Sequence, residues 1–266
     1  MDGNIITQSQ LGRKSQYPKT YDKKLLLGIE RQTKRNEIGF EFDSKLYGYD
    51  LWNCYEVSWL NPKGKPEVRI ASILYDAHSN CLVESKSLKL YLNSFNNEHY
   101  NENDLIQIIQ QDLTEILGVQ PEIEFLRLDN CNQISAPPGI CLDTIQIDLN
   151  KTKNVRADFL TTKNNNIENQ NQIREIVFSD LLKSNCLVTN QPDWGTVVIE
   201  YEGDKICHQG LLKYIISFRN HNEFHEQCIE RIFFDSNLWS SISVKAAEFF
   251  QKIISILYYQ KSKTNK

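Results

Sequence analysis

Glycine is scarce in this chain, at 11 of 266 residues. Neither G-x-G-x-x-G nor G-x-x-x-x-G-K-[ST] occurs, which excludes the Rossmann turn and the P-loop as phosphate cradles. Positive charge is not in excess either. Thirty Lys and Arg face 34 Asp and Glu, for a net charge of −4, which argues against a general nucleic-acid surface, because neutralising phosphates takes clustered cations. No apolar run approaches the roughly 18 residues that span a bilayer. Met1 to Lys24 carries no apolar stretch like that of a signal peptide, so the expectation is a cytoplasmic protein. The seven cysteines are odd in number, and no two are spaced C-x-x-C. A zinc site or a disulfide framework needs closer or more regular spacing. A cysteine outside such a pattern is usually a small buried hydrophobe. That reading suffices for Cys54, Cys81, Cys131, Cys141, Cys207 and Cys228, and Cys186 is the exception argued below.

What is present is ordinary globular composition, 40% apolar and 24% charged, with legible periodicity. Residues 1–45 read as an N-terminal arm with short elements. Leu51, Cys54, Tyr55, Val57 and Trp59 lie in one β-prone run, and Val68, Ile70, Ile73 and Tyr75 in another. The Asn61–Pro66 turn cluster between them makes a β-hairpin. Leu88, Tyr91, Leu92 and Phe95 fall at i, i+3, i+4 and i+7, predicting a helix that begins near Ser85. Leu105, Ile108, Ile109, Leu113, Ile116 and Leu117 predict a second helix from about Asn103, stopped by Gly118. Strand-like runs follow at Glu122–Leu128 and Thr144–Leu149. The second half echoes this order: a strand at Thr196–Tyr201, a turn at Gly203-Asp204, a helix through Leu211–Phe218 and another at Phe224–Phe233. Leu88-Lys89 with Ser94-Phe95 aligns, with one gap, onto Leu212-Lys213 with Ser217-Phe218, a weak internal repeat. The polar, Asn-rich stretch Lys151–Gln172 reads as a linker.

Three clusters carry possible chemistry. In Lys183–Gly195, Cys186 precedes a polar turn and Asp193 follows seven residues later, with Pro192 and Gly195 expected to force a loop that returns Asp193 towards Cys186. A thiolate attacks electrophiles, and a neighbouring acid manages the proton that the product needs. A buried Cys before a surface turn is the plainer reading of the same spacing. In Phe224–Arg231, His225-Glu226 lacks the second histidine of a zinc helix. Glu226 at the helix entrance suits two N–H donors from a ring, whereas the plain alternative is a wet helix face. In Glu84-Ser85-Lys86-Ser87, Ser and Lys at a helix N-terminus suit a phosphate, against the plain reading of a helix cap.

Together these segments resemble the NADPH-dependent 7-cyano-7-deazaguanine reductases, the QueF nitrile reductases of queuosine (tRNA modification) biosynthesis, in their longer, bimodular type. The resemblance rests on Val83–Phe95, on Ser184-Asn185-Cys186 to Gln191-Pro192-Asp193-Trp194-Gly195, and on Phe224–Phe233, and covers about residues 10–234. It implies an α+β fold of tandem tunnelling-fold (T-fold) units, antiparallel sheets with helix pairs on one face. The first unit would span 1–160 and the second 173–266. It also implies a homodimer that contacts neither membrane nor nucleic acid directly and needs no metal. The implied reaction reduces 7-cyano-7-deazaguanine to 7-aminomethyl-7-deazaguanine with two NADPH. By motif match Cys186 is the nucleophile that forms a thioimidate and Asp193 the acid. Val83, Glu84, Ser85, His225 and Glu226 hold the deazaguanine ring, and Ser85 and Lys86 lie on the NADPH side. The site would draw on both units.

The C-terminus departs from the family pattern after Phe234. No arginine follows Arg231, where family members continue to an Arg-Arg segment that contacts NADPH. The expectation is that a late strand of the second unit and the cation pair for the cofactor phosphates are missing. Either the gene end is frameshifted, or a divergent tail brings Lys252 or Lys261 to the phosphates. The alternative function is a deazaguanine-binding relic that does not reduce its ligand. A zinc-dependent pterin-forming hydrolase on the same fold ranks last, for want of a Cys/His set.

Overall fold

The computed structural model describes residues 17–41, 46–130, 137–148, 154–162, 173–188, 190–237, 243–249 and 254–260. They divide into two compact units, one drawn from Met1–Asn36 and Tyr49–Ile134, the other from Glu37–Gly48 and Ser135–Lys266. No helix among the described residues is long and apolar enough to cross a membrane.

In the first unit a 3-10 turn at Lys23–Leu25 leads into β1 (Gly28–Glu30) and α1 (Arg31–Ile38). The hairpin strands β2 (Leu46–Leu60) and β3 (Pro66–Asp76) pair antiparallel up to Leu60↔Pro66, as their apolar alternation predicts. β4 (Cys81–Val83) pairs with β1 and feeds α2 (Ser85–Asn93), then α3 (Glu102–Leu117) and β5 (Glu122–Leu126), which pairs with β3. α3 buries Leu105, Ile109, Leu113 and Leu117, one stripe of an amphipathic helix. It ends at Gly118, whose φ of 74° is left-handed and where a Cβ would lie 2.5 Å from Asn80 Nδ2, so only glycine fits. Inside the unit, the Arg31 guanidinium forms a buried ion pair with Asp50 and donates from Nε to Ser79 Oγ at 2.9 Å.

The second unit comprises β6 (Ile140–Cys141), β7 (Ile173–Asn185), β8 (Pro192–Gly203), α4 (His208–Ser217), α5 (His225–Asn237), β9 (Ser243–Phe249) and β10 (Ile254–Gln260). Its strands lie in the order β10-β9-β8-β7-β6. All pairs are antiparallel except β6 with β7. The architecture is α+β, as expected.

Three expectations are corrected. Thr144–Leu149 is not a strand over its described residues, 144–148, despite the alternation of Ile145 and Ile147. The chain pairs only at Ile140 and Cys141, after which Ile145 N–H bonds Leu142 O at 3.0 Å in a turn. Asp143 then grips Ser179 Oγ at 2.6 Å and Asp180 N–H at 3.0 Å, which leads the chain off the sheet. The polar linker stretch packs where it is described: a 3-10 turn at Ala157–Phe159 buries Leu160, and Thr162 bridges Ile206. The late strand is not missing. β9 pairs with β8 from Thr196↔Phe249 to Glu202↔Ser243, and β10 pairs with β9. Backbone pairing asks only for extended residues in register, so a sequence that leaves a side-chain pattern still completes the ladder. Lys252 and Lys261 lie outside the described residues.

The internal repeat extends to side chains. Tyr91 of α2 donates to Asp112 of α3, and Tyr214 of α4 to Asp235 of α5, each at 2.6 Å and each 21 residues apart. Ser94 Oγ bonds Tyr91 O, and Ser217 Oγ bonds Tyr214 O, both at 2.6 Å. Phe95 meets Tyr91 edge-on, as Phe218 meets Tyr214. This correspondence needs no gap.

Candidate active site

After a register shift between Ser179 and Leu182, β7 and β8 pair on to Asn185↔Pro192, and the preceding pair, Ser184↔Asp193, puts those two side chains on one face of the hairpin. The turn is closed by Cys186 N–H to Gln191 O at 2.8 Å and Asn190 N–H to Cys186 O at 3.0 Å. Among the described residues of the turn, Asn190 supplies an awkward backbone step, with φ of 56°, a conformation that asparagine tolerates better than most residues. Cys186 is thus the first residue beyond β7, and it is part-exposed. Asp193 is the second residue of β8. Pro192 and Gly195, expected to force a loop, are strand residues. The hairpin itself returns Asp193 to the thiol's end of the sheet.

The chain ahead of α5 is fastened to this turn. Asn185 N–H bonds His221 O at 2.8 Å and Glu223 N–H bonds Asn185 O at 3.2 Å, a parallel bridge. Asn222 Nδ2 donates to Asn190 Oδ1 at 2.9 Å and to Cys186 O at 3.3 Å. Residue 225 opens α5 directly afterwards, so His225 Nε2 lies 3.2 Å from Asp193 Oδ2. Asp193 is 38% exposed and His225 16%, a carboxyl open to a ligand with an imidazole behind it. Glu226 is buried on the same helical turn. Two of the three sequence clusters therefore meet in the second unit.

The residues that hold this geometry were not visible in the sequence pattern. Glu223, 3% exposed, receives Arg231 Nη2 at 2.8 Å and Nε at 3.1 Å, and pairs with His221 Nε2 at 3.0 Å. Burial opposes its ionisation, but hydrogen bonds from His221 and Arg231 outweigh burial and hold the carboxyl down to about 2. Glu223 and Arg231 are eight residues apart, the carboxylate ahead of α5 and the guanidinium inside it.

Glu84, Ser85 and Lys86 belong to the first unit. Glu84 is the N-cap of α2, with Oε1 accepting Lys86 N–H at 3.0 Å and Oε2 accepting Ser87 N–H at 2.7 Å. The carboxylate itself thus occupies the helix N-terminus that the sequence offered to a phosphate. Burial raises its pKa, and these bonds oppose the rise. Ser85 stays exposed and Lys86 part-exposed at the head of the helix, and Val83 is buried. A hydroxyl and a cation beside a helix start make a donor set that fits a phosphate-bearing cofactor.

Comparison with known proteins adds the decisive observation. Residues 17–125 match a family model described as "Nitrile reductase, 7-cyano-7-deazaguanine-reductase N-term", and residues 192–246 match one described as "QueF-like protein". A protein of Legionella pneumophila (strain Lens), named NADPH-dependent 7-cyano-7-deazaguanine reductase, is 52% identical over 237 residues, covering 87% of this chain and 81% of its own. The chain belongs to the 7-cyano-7-deazaguanine reductase family. Proteins of the same name from Hydrogenovibrio crunogenus and Ralstonia nicotianae are 46% and 45% identical, covering 86% and 85% of this chain and 81% and 82% of their own. The family match reaches residue 246, past the point where the side-chain pattern departs, and its fold is the tunnelling type.

Proposed function

We propose that this chain is an NADPH-dependent nitrile reductase that converts 7-cyano-7-deazaguanine to 7-aminomethyl-7-deazaguanine, a step towards a modified tRNA base. One observation carries the reading: a part-exposed cysteine and an aspartate stand on either side of one hairpin turn, and His225 is paired to that aspartate.

A nitrile carbon is electrophilic. The Cys186 sulfur adds to it as the thiolate, and the electron pair of one C–N π bond moves to nitrogen. Asp193, beside His225, holds the proton that nitrogen takes, so the product is a neutral thioimidate and a carboxylate. Glu226 offers its carboxylate to the N–H edge of the ring, with His225 beside it, and the motif match assigns Val83, Glu84 and Ser85 to the ring as well. Ser85 and Lys86 would hold NADPH, which when bound supplies the hydride equivalents of the reduction. Covalent capture on Cys186 keeps a hydrolysable carbon–nitrogen double bond on the protein until the amine forms. The same reading takes the protein as a cytoplasmic homodimer without direct contact to nucleic acid.

Intact mass of the protein incubated with 7-cyano-7-deazaguanine tests this. The expected result is an adduct of the nitrile's mass, absent in Cys186→Ala, which NADPH clears with release of amine. An adduct that NADPH leaves in place supports a ligand-binding relic, a reading motivated by the lack of any arginine after Arg231. No adduct at all overturns both.

A further inference from the structure

Ser184 is 1% exposed, and its Oγ has no hydrogen-bond partner among the described residues. A buried hydroxyl left unpaired is destabilising, and native proteins retain few. Its position is specific. It stands directly opposite Asp193 in the β7–β8 ladder, where Cβ atoms of facing residues are about 5 Å apart, and Cys186 follows two residues later. The first unit provides an internal comparison. There the residue opposite Glu67 in the last but one pair of the β2–β3 hairpin is Trp59, whose indole N–H is satisfied by Tyr100 O at 3.1 Å. That hairpin turns through Asn61 rather than a cysteine, so the orphan hydroxyl occurs in the hairpin that carries the thiol.

We propose that Ser184 is a positioning residue for the proton transfer, acting through Asp193. This inference rests on the nitrile-reductase reading. In that reading Asp193 is the acid: as the Cys186 thiolate forms the sulfur–carbon bond, a proton passes from the carboxyl to the nitrile nitrogen and leaves a carboxylate. The Ser184 side chain then turns about its Cα–Cβ bond to bring Oγ–H onto the new carboxylate, a bond from a neutral donor to a charged acceptor and stronger than any available before transfer. The hydroxyl is left unmatched in the resting protein so that it is matched after the proton has moved, which favours thioimidate formation over the free nitrile.

The test is Ser184→Ala with three readouts: the rate of adduct formation, the affinity for 7-cyano-7-deazaguanine in a Cys186→Ala background, and Tm. Removing an unpaired buried hydroxyl leaves Tm unchanged or raises it. Ring affinity is expected to hold within twofold, while adduct formation slows about 10-fold or more. Ser184→Thr, which keeps the hydroxyl, is expected to recover most of the rate. Adduct formation at the wild-type rate in Ser184→Ala overturns the role of Ser184 alone. A lowered Tm, or a loss of ring affinity equal to the loss of rate, makes Ser184 a packing residue and also overturns it. Failure of the wild-type protein to form an adduct overturns the nitrile-reductase reading together with this inference.

Discussion

Glu223 is ionised where burial alone would neutralise it, and Arg231 and His221 supply the reason. Its folded pKa of about 2 lies below the unfolded value of about 4.3. As pH falls the unfolded chain therefore takes up the proton first. The stabilisation is fully present above about pH 4.5 and is lost progressively down to about pH 2, amounting to about 3 kcal/mol. Urea denaturation between about pH 6 and pH 3 is expected to show this loss in the wild type. Glu223→Gln should lower stability at neutral pH by about 3 kcal/mol, because Arg231 is left half-buried without its counter-ion, and should flatten the acid limb. Since Glu223 N–H also bonds Asn185 O beside the thiol, adduct formation should fall in the same variant.

At the scale of elements, the two helix pairs are each tied by a tyrosine–aspartate bond at matching places, yet the ties differ in redundancy. Asp112 accepts Tyr91 at 2.6 Å and also Tyr21 at 2.7 Å, whereas Asp235 accepts Tyr214. Tyr214→Phe strips a part-buried carboxyl of its hydroxyl donor and is expected to cost about 2 kcal/mol, and Tyr91→Phe about 1 kcal/mol, because Tyr21 remains. Thermal or urea melts of the two variants would check the order. How far such elements were legible follows from what each needs. α2, α3, α4 and α5 bury a stripe at period 3.6, and the stripe is written in their leucines and isoleucines. The β2–β3 hairpin was equally plain. Thr144–Leu149 misled because alternation describes a half-buried chain, paired or not, and the grip of Asp143 on β7 decides against pairing there. At the site, Cys186, Asp193, His225 and Glu226 could be picked out by residue type. Asn222, Glu223 and Ser184 could not, since their importance lies in the partners that strand register and chain packing bring to them, and neither is a local property of sequence.

At the scale of the whole chain, one scaffold occurs twice with different fittings at the hairpin end. In the first unit Leu60 N–H bonds Glu98 O and Tyr100 N–H bonds Leu60 O, as Asn185 and Glu223 do in the second. Asn61 N–H closes on Lys65 O at 2.9 Å where Cys186 N–H closes on Gln191 O, so Asn61 occupies the place of the thiol. The chain is therefore expected to take one nitrile, not two: intact mass at saturating 7-cyano-7-deazaguanine should show a single adduct per chain, and a second would contradict this account of the repeat. The two turns also differ in how comfortably they are built. Asn61 Oδ1 accepts Lys63 and Lys65 N–H, and glycine takes the positive φ at residue 64. The other turn puts positive φ on Asn190 and keeps an unmatched hydroxyl at Ser184. Such strain is retained where chemistry needs it. Amide hydrogen exchange at Cys186 and Asn190 should thus be faster than at Asn61 and Gly64, whose N–H groups close the more comfortable turn, so the hairpin end that carries the thiol opens locally more readily than its counterpart in the first unit.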